Sequence, residues 1–340
     1  MDTPPSADFV SKNPIAQIQA ELELARAHAN DLARESLSEN TRRLYESDWQ
    51  GFLAWVVRAQ QANSALSALP ATDETLALYV GAEIDTSPST LARRLAAIRL
   101  MHRWSGFESP FDTAPSFSAV YTGYKRRWAN RQPANTPQTA ATESIIRTLA
   151  DAWAGDSLMA KRNRALLLVG FDSALRRSEL VGIDVEHLAA HPEGLEVHIP
   201  HSKADQTGDG AETYLLARPD SPYCPVVALA TWVDAAGVQN GPVFRRLHRC
   251  GCELRLGIER LSDKAVYRLV KETAEQCGVV GRFGAHSLRR GLITSALQDH
   301  QNIGAVQKHV RHRNLATTSR YNERTKGFDA HPGKRLLISD

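Results

Sequence analysis

Residues near the end of the chain combine the side-chain types that an enzyme needs to attack a phosphodiester without a metal. Arg289 follows His286 by three residues, His312 lies 23 residues further on, and Tyr321 comes nine residues after that. A guanidinium neutralises phosphate oxygens through a fixed fork of donors. Imidazoles donate hydrogen bonds or carry protons, and a tyrosine hydroxyl can be a covalent nucleophile. The pattern indicates phosphoryl-transfer chemistry.

A second motif lies upstream, in the run Ala174-Leu175-Arg176-Arg177-Ser178-Glu179-Leu180, which is predicted to end an apolar helix starting near Arg164. With this motif the chain resembles the tyrosine recombinase (phage integrase) family. That family carries an arginine in a Leu-Arg-x-Ser-Glu-Leu signature, a lysine on a β-hairpin, His-x-x-Arg, a second histidine or tryptophan, and a tyrosine. The residues that match the family's catalytic set are Arg176, Lys203, His286, Arg289, His312 and Tyr321, with Glu179 as a supporting acid.

The resemblance covers roughly residues 36–325 and is specific only in the catalytic half. Two departures precede catalytic positions. The family often has Thr-Gly where this chain has Ser173-Ala174, and Leu-Gly where it has Val310-Arg311. Neither change removes a catalytic group. Because glycine reaches backbone conformations that other residues avoid, we expect both changes to affect local geometry.

The resemblance implies a covalent mechanism in which Tyr321 attacks phosphorus, giving a DNA 3′-phosphotyrosine and a free 5′-hydroxyl. His286 would take the tyrosine proton, and Lys203 would protonate the departing 5′-oxygen. Phosphoryl transfer depends mainly on positioning and on charge stabilisation. No metal, nucleotide or other cofactor is expected, because the bond energy is retained in the phosphotyrosine.

The remaining matched residues would stabilise charge. Arg176 and Arg289 would clamp the two non-bridging oxygens, with His312 as a further donor. Glu179 would orient Arg176 or His286. The expected partners are double-stranded DNA and further copies of the chain, in a tetramer on two DNA sites.

Other functional classes use related residues. A type IB topoisomerase-like or telomere-resolving enzyme has the same chemistry without strand exchange, and the size of the chain and its N-terminal helical region favour a recombinase. A non-catalytic DNA-binding relative is a third reading, against which the complete six-residue set argues. The target DNA sequence, and the choice among integration, excision, dimer resolution and cointegrate resolution, stay open.

The N-terminal half reads as helices with few strand signals. Residues 1–35 are predicted to form an N-terminal arm with a helix over 14–35, and four helices are predicted between residues 36 and 131. In the first of these, Tyr45, Trp49, Phe52, Leu53 and Val56 share one face. Basic residues on the third and fourth helices are predicted to contact DNA phosphates; these are Arg93, Arg94, Arg99, Arg103, Lys125, Arg126 and Arg127.

The pattern predicts a mainly α fold with a small antiparallel β-sheet, and the resemblance implies that a helical, SAM-like core-binding domain (36–131) precedes an α-rich catalytic domain (141–325). The linker is predicted at 132–140, which contains two prolines and lacks apolar periodicity. Strands are predicted at 195–200 and 213–217, and Lys203 lies in the polar loop between them. Residues 326–340 form a tail whose apolar run, Leu336-Leu337-Ile338, could pack on its own domain or on a neighbouring subunit.

Composition places the chain among ordinary globular proteins, with 42% hydrophobic and 23% charged residues and a net charge of +3. No apolar run is long enough to cross a membrane, and no signal peptide is recognised, so a cytoplasmic location is predicted. The run His248-Arg249-Cys250-Gly251-Cys252 hints at a metal site, but its spacing fits no standard zinc pattern. A loop with reduced thiols, and no metal, is the favoured interpretation.

Overall fold

The chain divides into two units, Met1–Asn135 and Thr136–Asp340. The computed structural model describes residues 14–131, 137–200, 210–250 and 253–321. None of the helices in these ranges is long and apolar enough to cross a membrane. The predicted mainly α architecture with small antiparallel sheets is confirmed.

The first unit consists of helices whose starts are marked by hydroxyl side chains. Ser38, Thr72 and Ser87 each accept a hydrogen bond from the backbone N–H three residues further on, which satisfies one of the free donors of a helix start. The helices are α1 (Pro14–Glu35), α2 (Glu39–Ala59), α3 (Asp73–Ala82), α4 (Pro88–Trp104) and α5 (Pro115–Asn130).

The core of the first unit contains most of the α2 face that the periodicity predicts. Trp49, Phe52 and Val56 of α2 are buried against Leu91 and Ile98 of α4 and other apolar residues. Helix α1 lies outside this core. Ile18, Leu22, Leu24 and Leu32 on α1 are all exposed.

Helix α7 lies at the centre of the second unit. Its residues are buried on nearly every side because the other elements of the unit pack around it. Its helices are α6 (Glu143–Asp151), α7 (Leu158–Asp172), α8 (Arg177–Val181), α9 (Pro225–Ala236), α10 (Asp263–Gln276), α11 (Ala285–Gln298), α12 (Ile303–His309) and α13 (Leu315–Ser319). Its strands are β1 (Leu188–His191), β2 (Gly194–Ile199), β3 (Ala211–Leu216), β4 (Arg245–Cys250) and β5 (Glu253–Arg260).

The strands form two antiparallel sheets, β1-β2-β3 and β4-β5. The two predicted strands correspond to β2 and β3. These strands pair with each other, and Val197 of β2 lies opposite Thr213 of β3. The interpretation of the stretch around Cys250 as a loop is wrong, because His248–Cys250 lie in β4. The outer half of β4 is exposed on both faces, so it lacks the alternation that reveals a strand. Among the described residues no group of three or more His, Cys, Asp or Glu side chains could hold a metal.

The start of the second unit lies along α11. Thr139 N–H donates to the Arg282 carbonyl at 2.8 Å, and Ala141 N–H donates to the Ser287 carbonyl at 2.9 Å. A Cβ on Gly291 would lie 1.8 Å from the Ala141 carbonyl oxygen, so this close approach requires a glycine. Residues 137–140 of the predicted linker therefore belong to the second unit, and residues 132–136 lie outside the described residues.

Candidate active site

Arg176 lies at the junction between α7 and α8. The motif was predicted to end α7, but α7 ends at Asp172 and Arg176 is the N-cap residue of α8. Glu179, at the third position of α8, accepts a hydrogen bond from the Arg176 backbone N–H at 2.9 Å and one from its Nη1 at 2.6 Å. The three-residue spacing of the motif thus lets one carboxylate start the helix and orient the guanidinium.

His286 and Arg289 share one face of α11, near its start. Arg289 is only 2% exposed. Its Nη1 donates to the Ala174 carbonyl at 2.7 Å, and its Nη2 donates to the Val310 carbonyl. Burial lowers the pKa of Arg289 to about 10, and the charges of Arg176 and Arg311 contribute to this shift. The arginine nevertheless stays protonated at neutral pH.

The segment after α12 carries the second histidine and the tyrosine. Arg311 has a φ of 55°, and the turn it makes ends α12 and leads into His312. The His312 Nδ1 lies 2.9 Å from Thr318 Oγ1 on α13. Tyr321 lies two residues after the end of α13 and packs against the apolar cluster that contains Ala174 and Ile293.

Both departures from the family pattern fall on left-handed backbone. Ala174 has a φ of 49° and Arg311 a φ of 55°. Glycine adopts this conformation freely, whereas other residues lose roughly 1–2 kcal/mol there. The carbonyls that bind Arg289 belong to Ala174 itself and to Val310, the residue before Arg311. The chain therefore keeps two turns suited to glycine, and carbonyl groups at these turns hold the buried arginine.

The side chains around Tyr321 come from two segments, α11 and the stretch after α12. The His286 Nε2 lies 3.4 Å from the Tyr321 hydroxyl oxygen. The ring of His312 is stacked near that of Tyr321, with centroids 6.0 Å apart and an interplanar angle of 21°. The guanidinium carbon of Arg290 lies 4.8 Å from the centroid of the tyrosine ring. The described part of the chain thus brings both predicted histidines to the predicted nucleophile.

Both histidines are held neutral. Desolvation lowers the pKa of His312 to about 4, and the charges of Arg289 and Arg176 add to the effect. Desolvation also lowers the pKa of His286, together with nearby arginines, although this residue keeps an exposed surface. A neutral imidazole has one nitrogen that can accept a proton. His286 therefore meets the first requirement of a base next to the hydroxyl.

One carboxylate serves two guanidiniums. Arg311 Nη2 donates to Glu179 Oε2 at 3.1 Å, while Arg176 binds the other oxygen. Burial raises the pKa of Glu179, but hydrogen bonds from Arg176 and the charges of Arg176 and Arg311 outweigh burial, so its pKa lies below the usual value. Glu179 is ionised at neutral pH. With Arg289, three positive groups surround a single negative one.

Lys203 lies in residues 201–209, outside the described residues. The strands β2 and β3 that flank this segment are described, and they pair in register from Gly194 opposite Leu216 to Ile199 opposite Ala211.

The basic residues predicted to contact DNA have different surroundings. Arg93 forms a bidentate ion pair with Asp48, at 2.7 and 3.0 Å. Arg94 pairs with Glu83 at 2.5 Å. The exposed members of the set are Arg99, Arg103, Lys125, Arg126 and Arg127. The first two arginines therefore form ion pairs within the first unit, and the other five basic residues are exposed, although Arg99 and Lys125 also lie over the rings of Phe111 and Tyr121.

Sequence reasoning missed Arg290 and Arg311. The run Arg289-Arg290 contained a signal, because the second arginine is one residue from a predicted phosphate ligand. Arg311 had a weaker signal, an arginine where the related family often has glycine. Its contact with Glu179 spans 132 residues of sequence and could not be seen in the local pattern.

Comparison with known proteins agrees with the resemblance seen in the sequence motifs. The model of the phage integrase family matches residues 229–327, a range that contains both histidines, Arg289 and Tyr321. An integrase/recombinase described as a xerD homolog, from Selenomonas ruminantium, is 32% identical over 306 residues, which is 89% of this chain and 86% of that protein. The chain belongs to the tyrosine recombinase family.

Further relatives agree with this assignment. A tyrosine recombinase of Synechococcus elongatus is 28% identical over 90% of this chain and 91% of its own length. The recognition drawn from the sequence motifs is confirmed. As a member of this family, the protein is a DNA strand breaking and rejoining enzyme of site-specific recombination.

Solved structures share the fold at low sequence identity. The integrase of the Tn1549 transposon, solved with transposon right end DNA, has a TM-score of 0.55 at 14% identity and covers 86% of this chain and 92% of that one. A lambda integrase dimer bound to a core site has a TM-score of 0.52 at 14% identity, covering 93% of this chain and 82% of that one. The likeness confirms the fold class.

Proposed function

We propose that this recombinase cleaves and rejoins double-stranded DNA with Tyr321 as nucleophile. The Tyr321 oxygen attacks phosphorus as the bond to the 5′-oxygen breaks, leaving a 3′-phosphotyrosine and a 5′-hydroxyl. The observation that carries the proposal is the 3.4 Å separation between the tyrosine oxygen and His286 Nε2. Such contacts are often long in the absence of substrate and tighten with it.

The protons have defined routes in this proposal. The phenolic proton passes to His286, whose lowered pKa leaves it neutral and able to accept. The leaving 5′-oxygen receives a proton from Lys203, a role that rests on the family resemblance. Reversal of the two steps with the 5′-hydroxyl of another strand rejoins the DNA, so the chemistry needs no cofactor.

The charge of the reacting phosphate is met by the arginines. Arg176 and Arg289 bind the non-bridging oxygens, and His312 donates from the same side. The excess of positive groups around Glu179 supports this assignment, because fixed donors aimed at developing negative charge stabilise a transition state strongly in a site with little water. Glu179 orients Arg176, which it contacts through both backbone and side chain.

At a distance from the reacting phosphate, basic side chains of the first unit bind the DNA backbone. The exposed residues Arg99, Arg103 and Lys125–Arg127 are the phosphate contacts that we favour, because Arg93 and Arg94 are committed to ion pairs. One active site cuts one strand, and exchange of two duplexes breaks four. The assembly that we propose is therefore a tetramer on two DNA sites.

The test is the covalent adduct. Duplexes are recovered from a random-sequence library by binding to the Tyr321→Phe protein. Each recovered duplex is then prepared as a series of nicked substrates, in which the position of the nick moves by one nucleotide from one substrate to the next. Where the nick lies close to the cleavage site, the short 5′-hydroxyl fragment that cleavage releases diffuses away. The wild type should give a labelled protein–DNA adduct on a denaturing gel. Tyr321→Phe should bind the same duplexes and give none.

Tyr214→Phe is the matched control, since Tyr214 is an exposed tyrosine of the second unit on β3. It should form the adduct at the wild-type rate. Persistent adduct in Tyr321→Phe would identify another nucleophile.

A further inference from the structure

Arg311 has a backbone conformation that an arginine rarely adopts. Its φ of 55° is left-handed, and a glycine would adopt this conformation without strain. The side chain nevertheless turns inward and is only 12% exposed. A buried guanidinium at a strained position requires a compensating contact.

That contact is Glu179. Arg311 Nη2 lies 3.1 Å from Glu179 Oε2, and Arg311 Nη1 lies 3.5 Å from the His309 carbonyl oxygen. The Nε atom of Arg311 is buried and lacks a hydrogen-bond partner among the described residues. Burial lowers the pKa of Arg311, and the charge of Glu179 opposes that shift. The carboxylate is therefore the main stabilising partner of this guanidinium.

Glu179 is bound from two sides. Arg176 donates to Oε1 through Nη1 and to Oε2 through its backbone N–H. Arg311 approaches Oε2 from the segment that carries His312 and Tyr321. A chain of contacts therefore joins the arginine of one half of the site to the nucleophile segment of the other half.

We propose that Arg311 is a positioning residue for strand cleavage. It fixes Glu179 so that the carboxylate holds Arg176 toward the phosphate, and it ties the segment bearing His312 and Tyr321 to α8. This inference rests on the proposed function. It differs from a direct grip on phosphate, since Arg311 acts through Glu179 rather than on the DNA.

The test separates the guanidinium from the backbone strain. Arg311→Gly and Arg311→Ala both lose the guanidinium, but only the glycine relieves the left-handed strain. We expect both to cleave the selected nicked duplex about tenfold to a hundredfold more slowly in single-turnover assays, because small misplacements of reacting groups have effects of this size. Both should bind the duplex within about twofold of wild type, since no DNA contact is removed.

Thermal melting and a conservative variant complete the set. Arg311→Gly should melt at or above the wild-type temperature, and Arg311→Ala below it. Arg311→Lys should recover part of the cleavage rate, because it keeps the charge facing Glu179 and loses only the fork. The proposal would be overturned if the cleavage rates of the variants followed their melting temperatures and Arg311→Gly cleaved at the wild-type rate.

A double-mutant cycle with Glu179→Gln tests the route. If Arg311 acts through Glu179, the double variant should cleave no more slowly than the slower single variant. Additive losses, or a loss of binding that matches the loss of cleavage, would show that Arg311 grips DNA directly and would overturn the positioning role. Absence of adduct from the wild type as well would overturn the proposed function itself, whereas wild-type adduct in Arg311→Gly would contradict only the role of Arg311.

Discussion

Two arginine clusters, one in each unit, differ in their balance of charge. In the first unit, Arg93 and Arg94 face the two carboxylates of Asp48 and Glu83. Asp48 is only 8% exposed, and both its oxygens accept hydrogen bonds from Arg93. Every charge in this cluster has a partner, so the cluster joins α2, α3 and α4.

The cluster in the second unit has a surplus of positive charge. Arg176 and Arg311 share Glu179 as their acidic partner among the described residues, whereas Arg289 is bound by backbone carbonyls. A buried site with more cations than anions is a site prepared for an anion. The comparison shows that two arginine clusters of similar composition can differ in charge balance, and the unbalanced cluster is the one that we propose as the phosphate site.

The largest expected effect comes from the unbalanced cluster. Arg176→Lys and Arg289→Lys keep the charge but lose the fork of donors. We expect each to slow single-turnover cleavage at least about a hundredfold, by analogy with the loss of one oxyanion donor. Arg93→Lys is the control from the balanced cluster, and its bound complex should cleave at the wild-type rate. Near-normal rates for both site variants would refute the phosphate clamp.

The balanced cluster should respond in stability instead. Asp48→Asn leaves Arg93 without its carboxylate, and hydrogen bonds to charged groups contribute about 1.5–3 kcal/mol. We expect the free energy of unfolding, measured by denaturant titration, to fall by about 2 kcal/mol, with unchanged cleavage once DNA is bound. Asp85→Asn is the control, because the Asp85 side chain is 84% exposed in its pair with Arg131 and such pairs contribute little. Equal effects of the two variants would contradict the distinction.

His312 should make stability depend on pH in the acidic range. Its pKa falls to about 4 in the folded protein, while an unfolded histidine titrates near about 6.5. Between these values the unfolded state binds more protons, so stability is full above about pH 6.5 and is lost as the pH falls toward about 4.

His312→Gln should flatten this acid slope. Allowing for solvent screening, we expect its contribution to be about 1–2 kcal/mol. Unfolding curves at pH 7 and pH 5 for the wild type and the variant measure it. The same slope in both proteins would mean that other groups carry the pH dependence.

The smallest effects concern the exposed arginines of α4. Arg99→Ala and Arg103→Ala should each weaken DNA binding uniformly across sequences and reduce the slope of log affinity against log salt by about one. Binding titrations at several salt concentrations provide the measurement. Unchanged slopes in both variants would remove this face of α4 from the DNA contact surface.

Much of the molecule was predictable because its signals are local. The apolar spacing of Trp49, Phe52 and Val56 identified a helix face. Strands β2 and β3 were recognised because each is a short run rich in apolar and β-branched residues. Strand β4 was not predicted because its exposed, basic sequence has no such run, and the alternating Leu254, Leu256 and Ile258 of β5 were a strand signal that was missed.

The sequence alone determined the family and the mainly helical architecture, and it predicted the reacting side chains, since all of these depend on residue types at short, fixed spacings. Only the tertiary structure decided which charges are satisfied. Arg93 meets Asp48 across 45 residues, and Arg311 meets Glu179 across 132. Pairings between distant segments leave no periodic trace in a sequence, because they arise from how whole elements pack. The same packing sets the two left-handed turns that hold Arg289. The residue types do not indicate these turns, because neither position is a glycine.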